Sequence, residues 1–197
     1  MENHLVIMAR APRLGMGKRR LARDIGALAA HKFYVRSTGG LLRRLGECPK
    51  WRLWLAVTPD KAARSKSGLW DFRGRTIAQG QGDLGDRMGR LFKILPPGPA
   101  VIIGSDLPDI KSAQIVAAFR TLGHRDWVMG PALDGGYWLI GARRRPSLRL
   151  PFAQVRWSSA HTLADTLVGM GGQTVGYLET LDDVDDGASW RRWRDRR

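Results

Sequence analysis

The sequence predicts an α/β protein in which helices wrap a mostly parallel sheet. Short apolar segments typical of strands alternate along the chain with longer segments in which apolar residues recur every three or four positions. A length of 197 residues without an internal repeat or linker indicates a single domain over residues 1–197. The apolar segment at Tyr137 follows its predecessor after a short turn, so we expect one antiparallel strand to interrupt the sheet.

The first half of the chain contains three predicted strands. Residues 4–8 form a short apolar run, and residues 18–45 have helical spacing that we expect to break or bend near Gly39 and Gly40. Residues 52–57 read as a strand that stops at a Thr-Pro-Asp turn. Residues 75–78 form a shorter strand, and residues 84–95 have the periodicity of a helix.

The second half continues the alternation. Residues 100–103 form an apolar strand and residues 112–122 a helix, and two more strands are predicted at 126–129 and 137–140. The next helix covers residues 158–170, with Ser158 or Ser159 as its N-cap. A strand at 174–178 and a short helix at 188–193 follow.

The chain is strongly basic, with 33 Lys and Arg against 18 Asp and Glu and a formal net charge of +15. The arginines are scattered, and no recognition helix, zinc finger or aromatic strand signature accompanies them, so nucleic-acid binding is only a remote alternative. No apolar run approaches the roughly 20 residues of a membrane span, and the N-terminal segment resembles a strand rather than a signal peptide. Because the single Cys48 excludes an internal disulfide, we expect the protein to be cytoplasmic.

Two acidic, glycine-containing segments are the strongest functional signal. Asp106 follows the predicted strand 100–103, at the edge where open α/β sheets place ligands. A carboxylate there favours a positive partner, and a divalent cation carrying a phosphorylated ligand is the obvious one. Asp134 is followed by Gly135, Gly136 and Tyr137, which let backbone approach a ligand. Alternatively, Asp106 caps a helix and the glycines form a hairpin turn; the two segments together favour a site.

The loop 9–17 after the first strand has features of a phosphate-binding loop. Gly15 and Gly17 permit a tight backbone, the following helix start offers free N–H groups, and Lys18 and Arg20 add positive charge. The loop matches neither the P-loop nor the dinucleotide-binding pattern. The alternative is a solvated turn before a basic helix start.

A second glycine-containing segment, 81–87, follows the third strand. Gly82 and Gly85 allow a planar ring to approach, and Gln81 or Asp83 offers hydrogen bonds to its edge. The alternative is a helix start capped by an aspartate.

Four acids at positions 182, 183, 185 and 186 repel one another unless cations compensate. Asp183 or Asp185 can share a metal with Asp106. Alternatively, Asp185 and Asp186 cap the last helix, and both interpretations can hold. Trp157 either lines an acceptor pocket or packs in the core beside a helix N-cap.

These blocks, in this order, resemble a GT-A-type transferase family of small bacterial proteins described as uncharacterised glycosyltransferases, which is related to molybdenum-cofactor and phospholactate guanylyltransferases. The resemblance covers essentially the whole chain, and Arg10 and Arg19 depart from the lysine and threonine usual in the family. The matching blocks are Arg10 to Pro12 with Lys18 to Leu21, Gln81 to Arg87, Gly104 to Asp109, Gly130 to Gly141, Trp157-Ser158, and Asp183 to Asp185.

The resemblance implies a three-layer α/β/α sandwich with a mostly parallel mixed sheet, of the nucleotide-diphospho-sugar transferase-like, Rossmann-like type. It implies Mg²⁺ or Mn²⁺ on Asp106, with Asp185 as second ligand, and catalytic roles for Lys18, Asp106 and Asp134. The acceptor or sugar would face Asp134, Gly135, Gly136, Tyr137 and Trp157. The nucleotide would be bound by Ala9, Arg10, Pro12, Gly15, Gly17, Lys18, Arg20, Gln81, Gly82, Asp83, Leu84, Gly85 and Arg87.

The expected activity is metal-dependent transfer from a nucleotide-activated donor to an unknown small acceptor, with an NDP-sugar as the favoured donor. The close alternative is nucleotidyl transfer, in which a nucleoside triphosphate reacts with a small phosphorylated acceptor and pyrophosphate leaves. The basic loop around Lys18 and Arg20 suits the pyrophosphate of the second reaction. Both reactions need positively charged groups beside the phosphate oxygens, to neutralise their negative charge. Both also need the attacking group to be held in line with the bond that breaks.

Overall fold

The computed structural model describes residues 1–65, 70–144 and 147–196, and strands and helices alternate along them. The strands are β1 His4–Arg10, β2 Arg52–Thr58, β3 Arg75–Ala78, β4 Ala100–Gly104, β5 Trp127–Pro131, β6 Tyr137–Ala142 and β7 Val175–Tyr177. The α-helices are α1 Arg19–Ile25, α2 Ala27–Gly46, α3 Leu84–Ile94, α4 Ser112–Leu122, α5 Thr162–Met170 and α6 Gly187–Asp195, and a 3₁₀ helix covers Asp60–Arg64.

The seven strands form one mixed sheet in the order β3-β2-β1-β4-β6-β5-β7. The pairs β1–β2, β1–β4, β2–β3 and β5–β7 are parallel, whereas β6 runs antiparallel to both β4 and β5. The expectation of a mostly parallel sheet with one antiparallel strand is therefore confirmed. Because β1 and β4 are parallel neighbours, the loops that follow them lie side by side.

Helices cover both faces of the sheet, which confirms the three-layer α/β/α sandwich. On one face Ile7 and Ile103 belong to a core shared with Leu41 of α2 and Ile115 of α4. On the opposite face the neighbouring strand residues, such as Ile102, belong to a second core with Met88, Leu91 and Phe92 of α3. This division follows from the strand geometry, in which successive side chains point to opposite faces.

The long helical segment breaks at Gly26, so the expected break near Gly39 and Gly40 is wrong. Gly26 separates α1 from α2 and has a φ of +86°, a conformation that glycine adopts without strain. Gly39 is buried within α2, where an added Cβ would lie 3.1 Å from Cδ1 of Trp70. This glycine makes room for a packed indole instead of bending the helix.

The N-terminus of α5 also differs from the prediction. The helix begins at Thr162, with His161 at the N-cap position, so neither Ser158 nor Ser159 is its N-cap. Ser158 has a left-handed φ of +57°, and the Ser159 hydroxyl donates to the carbonyl of Arg156 at 2.7 Å. These residues form a separate turn because side chain-to-backbone bonds compete with helical ones.

No helix within the described ranges is both long enough and apolar enough to cross a membrane.

Candidate active site

The candidate site lies at the carboxyl ends of β1 and β4. A cavity of about 950 Å³ opens there, between the loop after β1, the start of α1 and the residues that follow β4. Its lining includes Lys18, Asp106 and Asp185, which the sequence analysis selected from three separate parts of the chain. The fold brings these three together.

The centre of the site is an ion-pair cluster on the ammonium of Lys18. Lys18 Nζ lies 2.8 Å from Asp106 Oδ1 and 3.1 Å from Asp185 Oδ1, and it donates a third hydrogen bond to the carbonyl of Val184. The Lys18 side chain is only 7% exposed, whereas those of Asp106 and Asp185 are 41% and 45% exposed. An ammonium has three donors, so the protein itself accepts all of them.

The electrostatic balance keeps Lys18 charged. Burial lowers the pKa of a lysine, but the opposite charges of Asp106 and Asp185 outweigh this effect and raise the pKa of Lys18 above its ordinary value. The ammonium therefore persists throughout the neutral range and neutralises part of the charge of the two carboxylates.

The backbone around the cluster fixes its geometry. Lys18 itself is left-handed, with φ 46° and ψ 42°, a conformation that non-glycine residues adopt at a cost of about 1–2 kcal/mol. The amide of Val184 donates to the carbonyl of Asp106 at 3.0 Å, which attaches the segment 182–186 to the loop after β4. From α2, Arg44 donates to the carbonyls of Pro108 and Ile110 and holds the far side of that loop.

The four acids between 182 and 186 have separate roles. Asp186 caps α6 by accepting from the amide of Ser189 at 2.8 Å, which confirms one interpretation of this segment. Asp182 forms a bidentate pair with Arg192. Asp185 remains for Lys18, and Arg20 lies 3.6 Å from its second oxygen.

Asp183 is affected by the crowding of carboxylates. Burial raises its pKa, and the negative charges of Asp185, Asp134 and Asp106 raise it further, to about 6. Asp134 thus acts electrostatically on the same cluster, although it follows a different strand. A cation at this point would relieve the mutual repulsion of the four side chains.

The two carboxylates of the cluster fit a divalent cation whose remaining ligands come from the substrate and water. Within the described ranges no group of three or more His, Cys, Asp or Glu side chains could hold a metal ion. Asp106 and Asp185 nevertheless direct one oxygen each at a single cation, the Lys18 ammonium, and both remain partly exposed. Mg²⁺ commonly uses one or two carboxylates together with substrate phosphates and water, so two ligands suffice.

The turn after β5 presents Asp134 to solvent. Its Oδ1 accepts from the amide of Gly136 at 2.9 Å, and Gly135 has a φ of +84°. The hairpin turn that the sequence offered as an alternative to a ligand site is therefore present. The same turn leaves Asp134 exposed. Tyr137 lies at the start of β6, where its phenol is buried beside Thr166 of α5; this burial raises the pKa of Tyr137 well above its ordinary value.

The first loop contributes most of the basic lining of the cavity. Of its predicted residues, Ala9, Arg10, Gly15, Gly17 and Lys18 line the cavity, whereas Pro12 and Arg20 are not among the described residues that do. Tyr34 locks the end of β1, because its hydroxyl accepts from the Arg10 amide at 2.9 Å and donates to the Arg10 carbonyl at 2.7 Å. Arg13 and Arg23 also line the cavity together with Arg19, although no sequence pattern marked them as site residues.

The segment 81–87 is divided between the cavity and the packing of α3. Leu84 and Arg87 line the cavity, whereas Gln81, Gly82, Asp83 and Gly85 are not part of the lining found in the described chain. Asp83 forms a capping box with Asp86 at the start of α3, and its other oxygen accepts from the indole of Trp157 at 3.2 Å. Trp157 therefore contacts the helix start, where a Cβ on Gly85 would lie 2.7 Å from its ring.

Gln79 is a cavity residue that the sequence analysis did not identify. It is 4% exposed, and its amide nitrogen donates to the carbonyls of Ala9 and Ala56 at 3.1 and 2.9 Å. Its oxygen accepts from Arg87 at 3.4 Å, so Gln79 links the ends of β1 and β2 to a cavity arginine. The available signal was a polar side chain directly after the strand 75–78, immediately before a glycine.

Comparison with known proteins gives one family and a consistent fold. Residues 41–159 match the family described as "Uncharacterized protein conserved in bacteria" (DUF2064). No curated protein matches the chain. Among solved structures, the chain is similar to a candidate nucleotide-diphospho-sugar transferase from Desulfovibrio desulfuricans G20, with a TM-score of 0.84 and 28% identity over 94% of this chain and 84% of that one.

More distant structures share the architecture. CMP:2-keto-3-deoxy-manno-octonic acid synthetase complexed with CTP has a TM-score of 0.62 and 13% identity, over 99% of this chain and 98% of that one. The Rv0371c protein of Mycobacterium tuberculosis H37Rv complexed with manganese has a TM-score of 0.52 and 18% identity, over 98% and 97% of the two chains. The resemblance to nucleotide-diphospho-sugar transferase-like proteins is confirmed, and at these lower identities it concerns the fold.

Proposed function

Because the chain belongs to DUF2064, a bacterial family whose description assigns no activity, its function has to be inferred from the site, and we propose a divalent-metal-dependent transferase that uses a nucleotide-activated donor. The favoured donor is an NDP-sugar, from which the sugar passes to a small acceptor while the nucleoside diphosphate leaves.

One observation carries this proposal: two carboxylates from distant parts of the chain meet at one cation on the wall of a basic cavity. Asp106 and Asp185 contact the same ammonium at 2.8 and 3.1 Å. The adjoining lining contains Arg13, Arg19 and Arg23. Carboxylates suit a hard cation, and arginines suit phosphate oxygens, so the two sets together favour a metal-bound phosphorylated donor.

The residues divide into three roles in this proposal. Asp106 and Asp185 would hold Mg²⁺ or Mn²⁺, which when bound neutralises charge on the phosphate oxygens. Lys18 and the arginines of the loop after β1 would orient these phosphates and stabilise the charge that develops on the leaving group. Asp134, exposed on its turn and electrostatically coupled to the cluster through Asp183, would contact the acceptor or sugar.

The solved structures to which this chain is similar support the proposal. The relative at 28% identity is a candidate nucleotide-diphospho-sugar transferase, and the two more distant structures contain CTP in one case and manganese in the other. Fold alone does not separate transfer of a sugar from transfer of a nucleotide.

Nucleotidyl transfer is the second candidate, and the charge of the cavity favours it. Arg10, Arg13, Arg19 and Arg23 line the cavity in addition to Lys18. This concentration of cations suits a triphosphate and a departing pyrophosphate, which carry more negative charge than the diphosphate of an NDP-sugar. The acceptor in that reaction would be a small phosphorylated molecule.

A thermal-shift experiment tests the proposal. Wild type, Asp106→Asn and the control Asp195→Asn would be heated with nucleoside triphosphates, diphosphates and NDP-sugars, each with and without Mg²⁺ or Mn²⁺. Asp195 is exposed and forms an ion pair with the adjacent Arg194, so its variant should behave as wild type. We expect a metal-dependent rise in Tm that Asp106→Asn abolishes.

The identity of the stabilising ligand separates the two candidates. A rise with an NDP-sugar favours sugar transfer, and a rise with a nucleoside triphosphate favours nucleotidyl transfer. Metal-dependent stabilisation that persists at full size in Asp106→Asn would overturn the assignment of the cation site.

A further inference from the structure

The ammonium of Lys18 occupies the position where its two carboxylate partners would hold a cation. Asp106 Oδ1 and Asp185 Oδ1 both face Nζ, and the carbonyl of Val184 accepts its remaining proton. The Lys18 side chain is 7% exposed, so these contacts form a buried ion pair and not a surface one.

A divalent cation and this ammonium compete for the same oxygens. Two positive charges about 3 Å apart repel strongly, and an ammonium cannot act as a metal ligand because it has no lone pair. Binding of a metal ion to both facing oxygens therefore requires Lys18 to leave. Once displaced, its charge needs another acceptor, because an unpaired ammonium in a buried position is costly.

The donor phosphates would supply that acceptor. Lys18 lies between the loop after β1 and α1, and Arg10, Arg13 and Arg19 from the same region line the cavity. A lysine side chain has four rotatable bonds, so Nζ can move from the carboxylates to a phosphate in the cavity without a change of fold.

We propose that Lys18 is an internal substitute for the divalent cation, which blocks metal binding in the free protein and yields the site only when donor phosphates accept its ammonium. This inference rests on the proposed function for the identity of the donor. It makes the binding of metal and donor mutually dependent, since each ligand removes an obstacle to the other. The free protein would then bind metal weakly, and the complete site would form only with both ligands present.

Mn²⁺ binding in the absence of nucleotide tests the proposal directly. Free Mn²⁺ would be measured by its electron paramagnetic resonance signal during titration of wild type, Lys18→Met and Lys18→Gln. We expect either variant to bind Mn²⁺ at least about tenfold more tightly than wild type, because the carboxylates are then free. Adding Asp106→Asn to the Lys18 variant should remove the gain, which places the metal on this pair.

Arg20→Met is the matched control. Arg20 lies 3.6 Å from Asp185 but is 68% exposed, so its loss removes one positive charge nearby without opening the position between the carboxylates. We expect its Mn²⁺ affinity to change by less than about threefold, given screening at an exposed site. Equal gains in Arg20→Met and Lys18→Met would show a general charge effect and overturn the proposal.

A second measurement needs no Lys18 variant. Inorganic pyrophosphate serves as the phosphate probe, with a protein-free blank to account for Mn²⁺ that pyrophosphate itself binds. Wild type should retain at least about tenfold more Mn²⁺ with pyrophosphate than without it. If wild type binds Mn²⁺ equally well with and without pyrophosphate, the carboxylates do not need Lys18 to leave and the proposal is wrong. The same conclusion follows if, in the first experiment, Lys18→Met and Lys18→Gln bind Mn²⁺ no more tightly than wild type.

The outcomes separate this inference from the proposed function. If Lys18→Met gains Asp106-dependent Mn²⁺ binding but no nucleotide stabilises wild type, the substitution inference stands and the donor assignment fails. If wild type binds a nucleotide with Mn²⁺ but Lys18→Met does not bind Mn²⁺ more tightly, the donor assignment stands and the substitution inference fails.

Discussion

The backbone of Gly135 lies against the carbonyl of Ala160, so closely that a Cβ on Gly135 would be 2.3 Å from that oxygen. The carbonyl of Gly135 also accepts from the amide of Leu163 at 3.0 Å. These contacts hold the turn that carries Asp134 against the start of α5. The position of a proposed substrate-contacting carboxylate therefore depends on how the neighbouring glycine packs against the segment that starts α5.

Gly135→Ala should destabilise the protein by about 2–4 kcal/mol, because it combines a φ of +84° with a backbone clash. Gly136→Ala is the matched control: the nearest atoms to its Cβ would all belong to the Asp134 side chain, with Oδ1 closest at 3.1 Å, and the change should cost less than about 1 kcal/mol. Urea denaturation of both variants measures the difference. Equal losses would contradict the close approach to Ala160.

Asp183 should make the free energy of unfolding fall as pH rises. Its pKa is raised from 3.8 to about 6, so between these values the folded state binds more protons than the unfolded state, and stability declines. Asp183→Asn should therefore stabilise the metal-free protein at pH 8, by at most about 3 kcal/mol, and change it little at pH 3.5. Urea denaturation in EDTA at the two pH values provides the test, and a variant that is less stable than wild type at pH 8 would contradict it.

Gln79→Leu should cost about 2 kcal/mol, because the carbonyls of Ala9 and Ala56 lose a buried donor. Gln79→Glu should be at least as damaging at neutral pH, since it replaces the donor with an acceptor while keeping the shape. The exposed neighbour Gln81 provides the control, and Gln81→Leu should change stability by less than about 0.5 kcal/mol. Similar midpoints for all three variants in urea would show that the Gln79 bonds are not important for stability.

Local patterns predicted most of the fold. The apolar runs that form β1, β2 and β4 and the periodicity of α3 and α4 are properties of adjacent residues, and so is the short turn that made β6 antiparallel. The break in the first helical segment was misplaced because Gly26 and Gly39 look alike in sequence. What distinguishes them is the indole of Trp70, which packs against Gly39 from outside the helix.

The candidate site was predictable only in part. Acidic residues after strands marked Asp106 and offered Asp183 or Asp185 as its partner, and the family resemblance selected Asp185. Neither predicted that Lys18 lies between Asp106 and Asp185. That arrangement requires a left-handed lysine and a contact across most of the chain, and no local pattern encodes either. Gln79 was missed for a related reason, because its role consists of bonds to strand ends that only the folded sheet brings together.

The contact between Lys18 and Asp185 joins residues that are 167 positions apart. At about 5–20 residues per second, a ribosome needs on the order of 10–30 s to travel between them. At the start of that interval the polypeptide has only the lysine of the cluster; Asp106 is added about halfway through, and the second carboxylate only at the end. The cluster therefore forms only after residue 185 has been synthesised, and a shorter nascent chain lacks the complete set of contacts on Lys18.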